Sequence, residues 1–218
     1  VIVAYLEVPA LFATLATGLL FFGASRVLFL DSAVLYLPGS YTSFIAIAAG
    51  KFFGVPIPVI LFAVLALALH LVLTSTTFGQ LLYAQGDNLQ AARISGAPIR
   101  LMIVIEYMVA ALAALLAGFI FTAASAAIDM QIVRSTLIFD VVLVVVLGGV
   151  SLAGGRGSVV SVIAGTLLIG VLLNGMIILN VNSSIQSVIK GVVLVFAILL
   201  DRFLHPVDEE TAKQGDTL

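Results

Sequence analysis

Between Val159 and Leu179 the chain runs through 21 residues without one charged side chain. About 20 such residues, rising roughly 1.5 Å each, cross the ~30 Å hydrocarbon core of a bilayer. Runs of similar character occupy Val8–Phe29, Ile57–Leu73 and Leu101–Ala123. In lipid every backbone polar group must be satisfied within the segment, so runs of this length are read as helices. The wider composition agrees: 62% of residues are hydrophobic and 9% charged, more apolar surface than a water-soluble chain of this length hides. The expected fold class is all-α, a polytopic transmembrane helical bundle of about six spans with a short cytoplasmic helix.

Several chemistries are excluded by what the chain lacks. A formal charge of −2 with no Lys/Arg cluster argues against nucleic acid as a partner, leaving membrane lipid as the surrounding medium. Without cysteine there are no disulfides, thiolate metal sites or thiol catalysis. His70 and His205 are far apart in sequence and no His-Glu-x-x-His pattern or carboxylate cluster accompanies them, so no metal ligand and no catalytic residue is named. No phosphate-cradling G-x-x-x-x-G-K-[ST] loop exists, and the chain is not expected to be an enzyme. If this protein works by consuming ATP, another chain supplies the site.

Taken in order, the first span runs from about Val8 to Phe29, with Glu7 at its entrance and Ala10, Thr14 and Gly18 repeating at four. Leu30 to Gly54 is broken by Asp31, Pro38, Gly39 and Lys51 and is expected to be an external loop, its apolar Phe44–Ala49 lying on or dipping into the membrane. Pro56 and Pro58 open the second span, in a first turn whose amides have no partner. The third carries a stripe of Ala110, Ala114, Gly118 and Thr122, and Glu106 near its inner end is either a solvated carboxylate or paired with a neighbouring helix. Ser125–Ser135 reads as a second external loop. Leu137–Leu147 is too short to cross, ends at Gly148 and Gly149, and is either a discontinuous helix lining a pathway or a tilted span. Asp140, an ionisable group in an apolar segment, is a functional candidate for that reason. The fifth span, Val159–Leu179, aligns Gly157, Ser161 and Gly165 on one face and carries Asn174, which would bond either a neighbouring helix or a passing hydroxyl. After an outer turn at Asn180–Gln186 the last span, Ser187–Leu204, leads to a polar tail, His205–Leu218. The domain reading is a transmembrane region over residues 1–204 and a cytoplasmic tail over 205–218. Val1 is not a Met, so the beginning reads as cut from something longer.

The longest polar interruption before the tail is Phe78–Arg100. Asp87 with Gln90 three positions on suggests a capping box starting a short helix over Asn88–Ser95. Gly96 suits a left-handed stop, Pro98 forbids continuation, and Arg93 lies in the last turn, where the helix dipole favours a cation. Ala91, Ala92 and Gly96 give a small-residue face between Leu89 and Ile94, and Arg93 offers a forked donor for a carboxylate. So short a helix is marginal alone and must pack on something, either a partner or its own membrane domain.

Here a resemblance enters. Tyr83-Ala84-Gln85-Gly86-Asp87-Asn88-Leu89-Gln90-Ala91-Ala92-Arg93-Ile94-Ser95-Gly96 resembles the cytoplasmic coupling segment, Y-A-x-G-G-N-x-x-A-A-x-x-S-G, of ribose-type sugar permeases of ABC importers, within the branched-chain amino acid/sugar permease superfamily. Val146 to Ser158, with Gly148, Gly149, Gly154, Gly155, Arg156 and Gly157, resembles the same family's G-G-x-S-L-x-G-G-x-G-S loop. Asn174-Gly175, Lys190-Gly191 and Asp201 resemble its C-terminal pattern. The match covers roughly Pro9 to Arg202, with Asp87 in place of the second Gly, Leu173 in place of one Asn, and a Val/Leu run after Asp140. The resemblance implies a multi-pass permease of the bacterial inner membrane with three kinds of partner. These are ABC ATPase subunits, a periplasmic substrate-binding protein and a second permease subunit in a homo- or heterodimer. It implies ATPase coupling through Gly86, Asp87, Asn88, Ala91, Ala92, Arg93, Ser95 and Gly96, a cytoplasmic glycine-rich loop, and further N-terminal helices that nothing here matches. Asp140 and Asn174 are the candidate substrate-path residues, and no cofactor belongs to this chain, ATP and Mg sitting on the ATPase. Three alternatives stay open: a branched-chain amino acid ABC permease, an ion-coupled carrier without an ATPase, and a non-transporting membrane scaffold.

Overall fold

Apolar side chains that cannot all be buried in one small chain dominate its helices. A computed structural model describes residues 2–28, 34–38, 42–129, 137–151 and 154–204. Among them are ten helices and two short antiparallel strand pairs, falling into two compact units, Val1–Ser135 and Thr136–Leu218.

The first unit opens with α1 (Ile2–Leu6), turns at Glu7, whose φ is +53°, and enters α2 (Ala10–Leu28) directly after Pro9. Then follow β1 (Val34–Tyr36), α3 (Thr42–Ala49), the hairpin β2 (Lys51–Phe52) and β3 (Val55–Pro56), and α4 (Ile57–Ser75). Pro56 is the N-cap of α4 and Pro58 sits in its first turn, where a missing N–H costs nothing. Next come α5 (Thr77–Asp87), α6 (Leu89–Ile94), the 27-residue α7 (Ile99–Ser125) and β4 (Ala127–Asp129). Two ends can be told apart. At one, β4 pairs with β1, Val34 opposite Asp129, and the ring of Phe44 on α3 meets Phe119 of α7 edge-on at 6.4 Å. At the other, α1 packs on the start of α7 beside α5 and α6.

The second unit is three helices: α8 (Leu137–Leu147), α9 (Val159–Ile178) and α10 (Ser183–Leu204), with α8 packed between the other two. Leu143 and Val146 of α8, Ile169 and Met176 of α9 and Ala197 of α10 are its buried side chains. The crossing of α8 and α9 is backbone on backbone. A Cβ at Gly148 would lie 2.8 Å from the Ser161 carbonyl oxygen, and one at Gly165 would strike the Val144 carbonyl. Glycine is what lets helices approach so closely.

Among the described residues four helices are long and apolar enough to cross a membrane: α2, α4, α7 and α9. Their large side chains, Leu112, Leu116, Leu167 and Val171 among them, stand exposed, as surfaces meant for lipid or other helices do. The six spans expected reduce to these four plus α8 and the apolar part of α10, which are shorter. In the stripes Ala10/Thr14/Gly18 and Ala110/Ala114/Gly118 the glycines stand open, since a Cβ at Gly18 or Gly118 would have nothing within 4 Å among the described residues. The helix expected within Leu30–Gly54 at Phe44–Ala49 is α3, and the described remainder of that stretch adds β1 and β2, the first strand of the β2–β3 hairpin. Asp31, Gly39, Arg134, Leu152, Ala153 and the tail His205–Leu218 lie outside the described residues.

Candidate functional site

Three helices joined by two one-residue hinges form the candidate coupling segment. Thr76 makes the first hinge. Its extended backbone ends α4, its hydroxyl accepts from Gly79 N at 3.2 Å to start α5, and the same hydroxyl donates to Val72 O at 2.6 Å. Gly79 is buried where any Cβ would strike the backbone of Leu73, so the glycine permits the sharp fold of α5 on α4. Its glycines and polar residues hid this helix; the Thr76-to-Gly79 spacing and the i, i+3, i+4 placing of Phe78, Leu81 and Leu82 could have revealed it.

Asn88 makes the second hinge, and here the expected capping box is corrected. Asp87 is the last residue of α5, not a cap. Asn88 is extended, its N–H donates to Ala84 O at 3.0 Å to finish α5, and its Oδ1 accepts from Ala91 N at 2.9 Å to begin α6. The third helical residue is then Ala91, not Gln90, and alanine has no side chain to return the bond. The stop is as expected. Gly96 has φ +84°, its N–H donates to Arg93 O at 3.1 Å, and Ala97 N donates to Ala92 O at 3.2 Å, the double bond of a Schellman motif. Pro98 then caps α7.

The small-residue face does not survive as one surface. Ala92 is buried against its own domain, whereas Ala91, Ser95 and Gly96 are exposed. The outward arc is Leu89, Gln90, Arg93 and Ile94, with Ile94 86% exposed. Arg93 Nη2 lies 3.5 Å from Glu7 Oε1, both side chains largely in solvent, and the Arg100 guanidinium sits 5.8 Å over the ring of Tyr5. The first contact ties Glu7, just past α1, to α6, and the second ties α1 to the start of α7. On its inner side, Gln85 of α5 donates to Glu106 of α7 at 3.1 Å, which decides the open question about Glu106 in favour of a helix partner. Gly86 lies within α5, half-buried.

The glycine-rich segment is a turn. Gly148 N–H donates to Val144 O, Gly149 (φ +71°) to Val146 O, and Val150 to Val145 O, ending α8 as Gly96 ends α6. Gly154, Gly155 and Gly157 all have positive φ, Ser151 N–H donates to Arg156 O at 3.1 Å, and Ser158 with Ser161 forms a reciprocal capping box that starts α9.

Of the two substrate-path candidates, Asp140 gains a partner the sequence reading did not join to it. Lys190 Nζ lies 2.9 Å from Asp140 Oδ2 as a hydrogen bond and 2.7 Å from Oδ1, bridging α8 to α10 beside an open cleft. Fifty residues separate the pair in sequence, and nothing local signals it. Asn174 turns to its own helix, its amide donating to Gly170 O at 3.0 Å, and forms no hydrogen bond with Asp140.

Comparison with known proteins follows the same lines. Residues 2–198 match the family described as "Branched-chain amino acid transport system / permease component". The chain is 39% identical over 190 residues to the ribose import permease protein RbsC of Bacillus subtilis, covering 87% of this chain and 58% of that protein. It is 34% identical over 170 residues to the L-arabinose transport system permease protein AraH of Escherichia coli, covering 78% of this chain and 50% of that one. It is 33% identical over 169 residues to the autoinducer 2 import system permease protein LsrC of Salmonella choleraesuis, covering 78% and 48%. The chain thus spans about half the length of the curated relatives it matches. No solved structure matches it. A match running from residue 2 to residue 198, over helices fit to cross a bilayer, makes this multi-pass membrane protein a member of the branched-chain amino acid transport system permease family.

Proposed function

We propose that the chain is the membrane-spanning part of an ABC importer permease that carries a sugar or sugar-like molecule into the cytoplasm across a bacterial inner membrane. The observation that carries this reading is the set of relatives, three permeases whose names give ribose, L-arabinose and autoinducer 2 as their cargo. Cytoplasmic ATPase subunits, holding ATP and Mg, would grip the exposed arc of α6 at Leu89, Gln90, Arg93 and Ile94, with Gly86, Asp87, Asn88, Ala91, Ala92, Ser95 and Gly96 shaping that handle. A periplasmic binding protein would deliver the ligand, and a second permease subunit, the same or different, would complete the pathway. Residues 1–204 act as the membrane domain, and the polar stretch 205–218 trails into the cytoplasm.

Hydrolysis would then work mechanically. ATPase closure pushes α6, the push reaches α7 through α5 and the Gln85–Glu106 contact, and the bundle exchanges one packing for another. Helix α8, about 16 Å long at 11 residues, acts as a half-crossing element with α10 completing the sixth passage. The family's description also supports a second reading, branched-chain amino acid import. Vesicles holding the assembled importer separate the two: ATP-dependent uptake of labelled ribose or arabinose but not leucine upholds sugar import, leucine uptake alone favours the second, and no ATP-dependent uptake of any of them sinks both.

A further inference from the structure

The ion pair between α8 and α10 is unlike anything else in its unit. Asp140 and Lys190 stand on apolar helices, where two well-packed hydrophobic residues would tie the helices together as well or better. They are also not sealed: the side chains are 26% and 16% exposed, and both line an open cleft of about 220 Å³ with Phe139, Ser187, Gly191 and Leu194.

The polar capacity of that cleft exceeds what the pair consumes. An ammonium has three N–H donors and the carboxylate engages at most two of them. The Ser187 hydroxyl spends its hydrogen on Ser183 O at 3.1 Å, which leaves its oxygen free to accept. Gly191 opens the space beside Lys190, since a Cβ there would meet nothing within 4 Å. Phe139 and Leu194 supply apolar walls. Donor, acceptor and apolar wall side by side suit a molecule that carries hydroxyls on adjacent carbons and C–H groups between them. The pair is neutral as a whole, so a charged ligand would bring an uncompensated charge into apolar surroundings and a neutral one would not. The volume lies below the ~300–1,000 Å³ of pockets for drug-sized ligands, which restricts the occupant to a small molecule.

We propose that this cleft binds a small uncharged polyol through two neighbouring hydroxyls, one donating to the Ser187 oxygen and one accepting from Lys190, which Asp140 holds in place, with Phe139 against its C–H face. The ligand chemistry is argued from these six residues; its place on a transport route rests on the import reading above.

The test is direct binding to the purified chain in lipid nanodiscs, followed by ligand-observed NMR with two five-carbon probes. Ribitol has hydroxyls on adjacent carbons, and 1,5-pentanediol has them only at its ends. Ribitol is expected to bind and pentanediol not to. Ser187→Ala and Phe139→Leu leave the ion pair in place and are each expected to weaken ribitol by about fivefold, the loss of one modest interaction. Gly191→Leu fills the cleft without striking a neighbour and is expected to abolish binding while thermal stability holds. Lys190→Met should also abolish it. Equal binding of the two probes, or unchanged ribitol affinity in Gly191→Leu and Ser187→Ala, overturns the site. Selective ribitol binding in a protein whose assembled importer takes up no sugar supports the site and refutes the import reading instead.

Discussion

Gly165→Ala and Gly170→Ala add the same methyl group to the same helix, five residues apart, and are expected to change stability in opposite directions. At Gly165 the new Cβ would strike the Val144 carbonyl oxygen and lie 2.9 Å from Gly148 N, about 0.5 Å inside ordinary contact. Both obstacles are main chain, so neither can swing aside, and α8 must move off α9. Overpacking of this kind costs about 1–3 kcal/mol, and immovable backbone places it at the upper end. Replacing a mid-helix glycine returns about 1 kcal/mol, for a net loss of about 2 kcal/mol, or roughly 30-fold in the folding equilibrium. At Gly170 nothing lies within 4 Å, so only the gain of about 0.5–1 kcal/mol remains. Equilibrium unfolding of both variants in mixed micelles with rising SDS reads the difference. Equal stability of the two, or a more stable Gly165→Ala, would refute the close crossing of α8 and α9.

Four further outcomes are expected. Asn88→Ala removes the cap of α6 and should cost about 1 kcal/mol locally, seen as faster amide exchange over Leu89–Ile94 with the global unfolding midpoint unchanged. Gly96→Pro deletes the N–H that bonds Arg93 O and cannot reach φ +84°, so insertion should persist and uptake vanish; wild-type uptake would argue against α6 as a handle. Arg93→Glu sets like charges beside Glu7 and should likewise abolish uptake, while the Glu7→Arg/Arg93→Glu exchange restores the local pair; return of uptake in the exchange would mean that Arg93 acts through Glu7 and not on a partner. Lys190→Met leaves the Asp140 charge uncompensated among apolar helices and should destabilise the second unit by about 3 kcal/mol, whereas Lys190→Met with Asp140→Leu should recover most of it in the same unfolding assay.

What could be read from the residues alone was what local physics decides. The apolar runs anticipate α2, α4, α7 and α9 to within a few residues, because lipid solvation and helix length answer to each segment separately. Gly148-Gly149 marks the end of α8 and Gly96 the end of α6 for the same reason, a conformation few other residues adopt. The cap of α6 was misplaced by one residue because Asp and Asn cap equally well, and which one turns out of the helix depends on where α5 stops. Helix α5 itself was missed because its short apolar stripe, Phe78, Leu81 and Leu82, lies among glycines and polar residues that read as a loop, and it forms by folding back on α4. Pairings across long stretches of chain were out of reach: Val34 with Asp129, and Asp140 with Lys190. Each is decided by how helices pack, not by any pattern along the sequence.

The short ribbon of β1 and β4 has a mechanical corollary. Main-chain bonds join residues 34–36 to 127–129 at one end of the first unit, while the opposite end is held by side chains, the buried Ala4, Ala92, Ile99 and Met102 together with the exposed Arg93 and Glu7. Side-chain contacts can slide and re-form with no main-chain bond broken, whereas a ribbon parts only by losing its ladder. The first unit is thus built like a clothes-peg, its spring at the ribbon and its jaws at α6, so a few ångströms of travel at the jaws need break no backbone pairing at the spring.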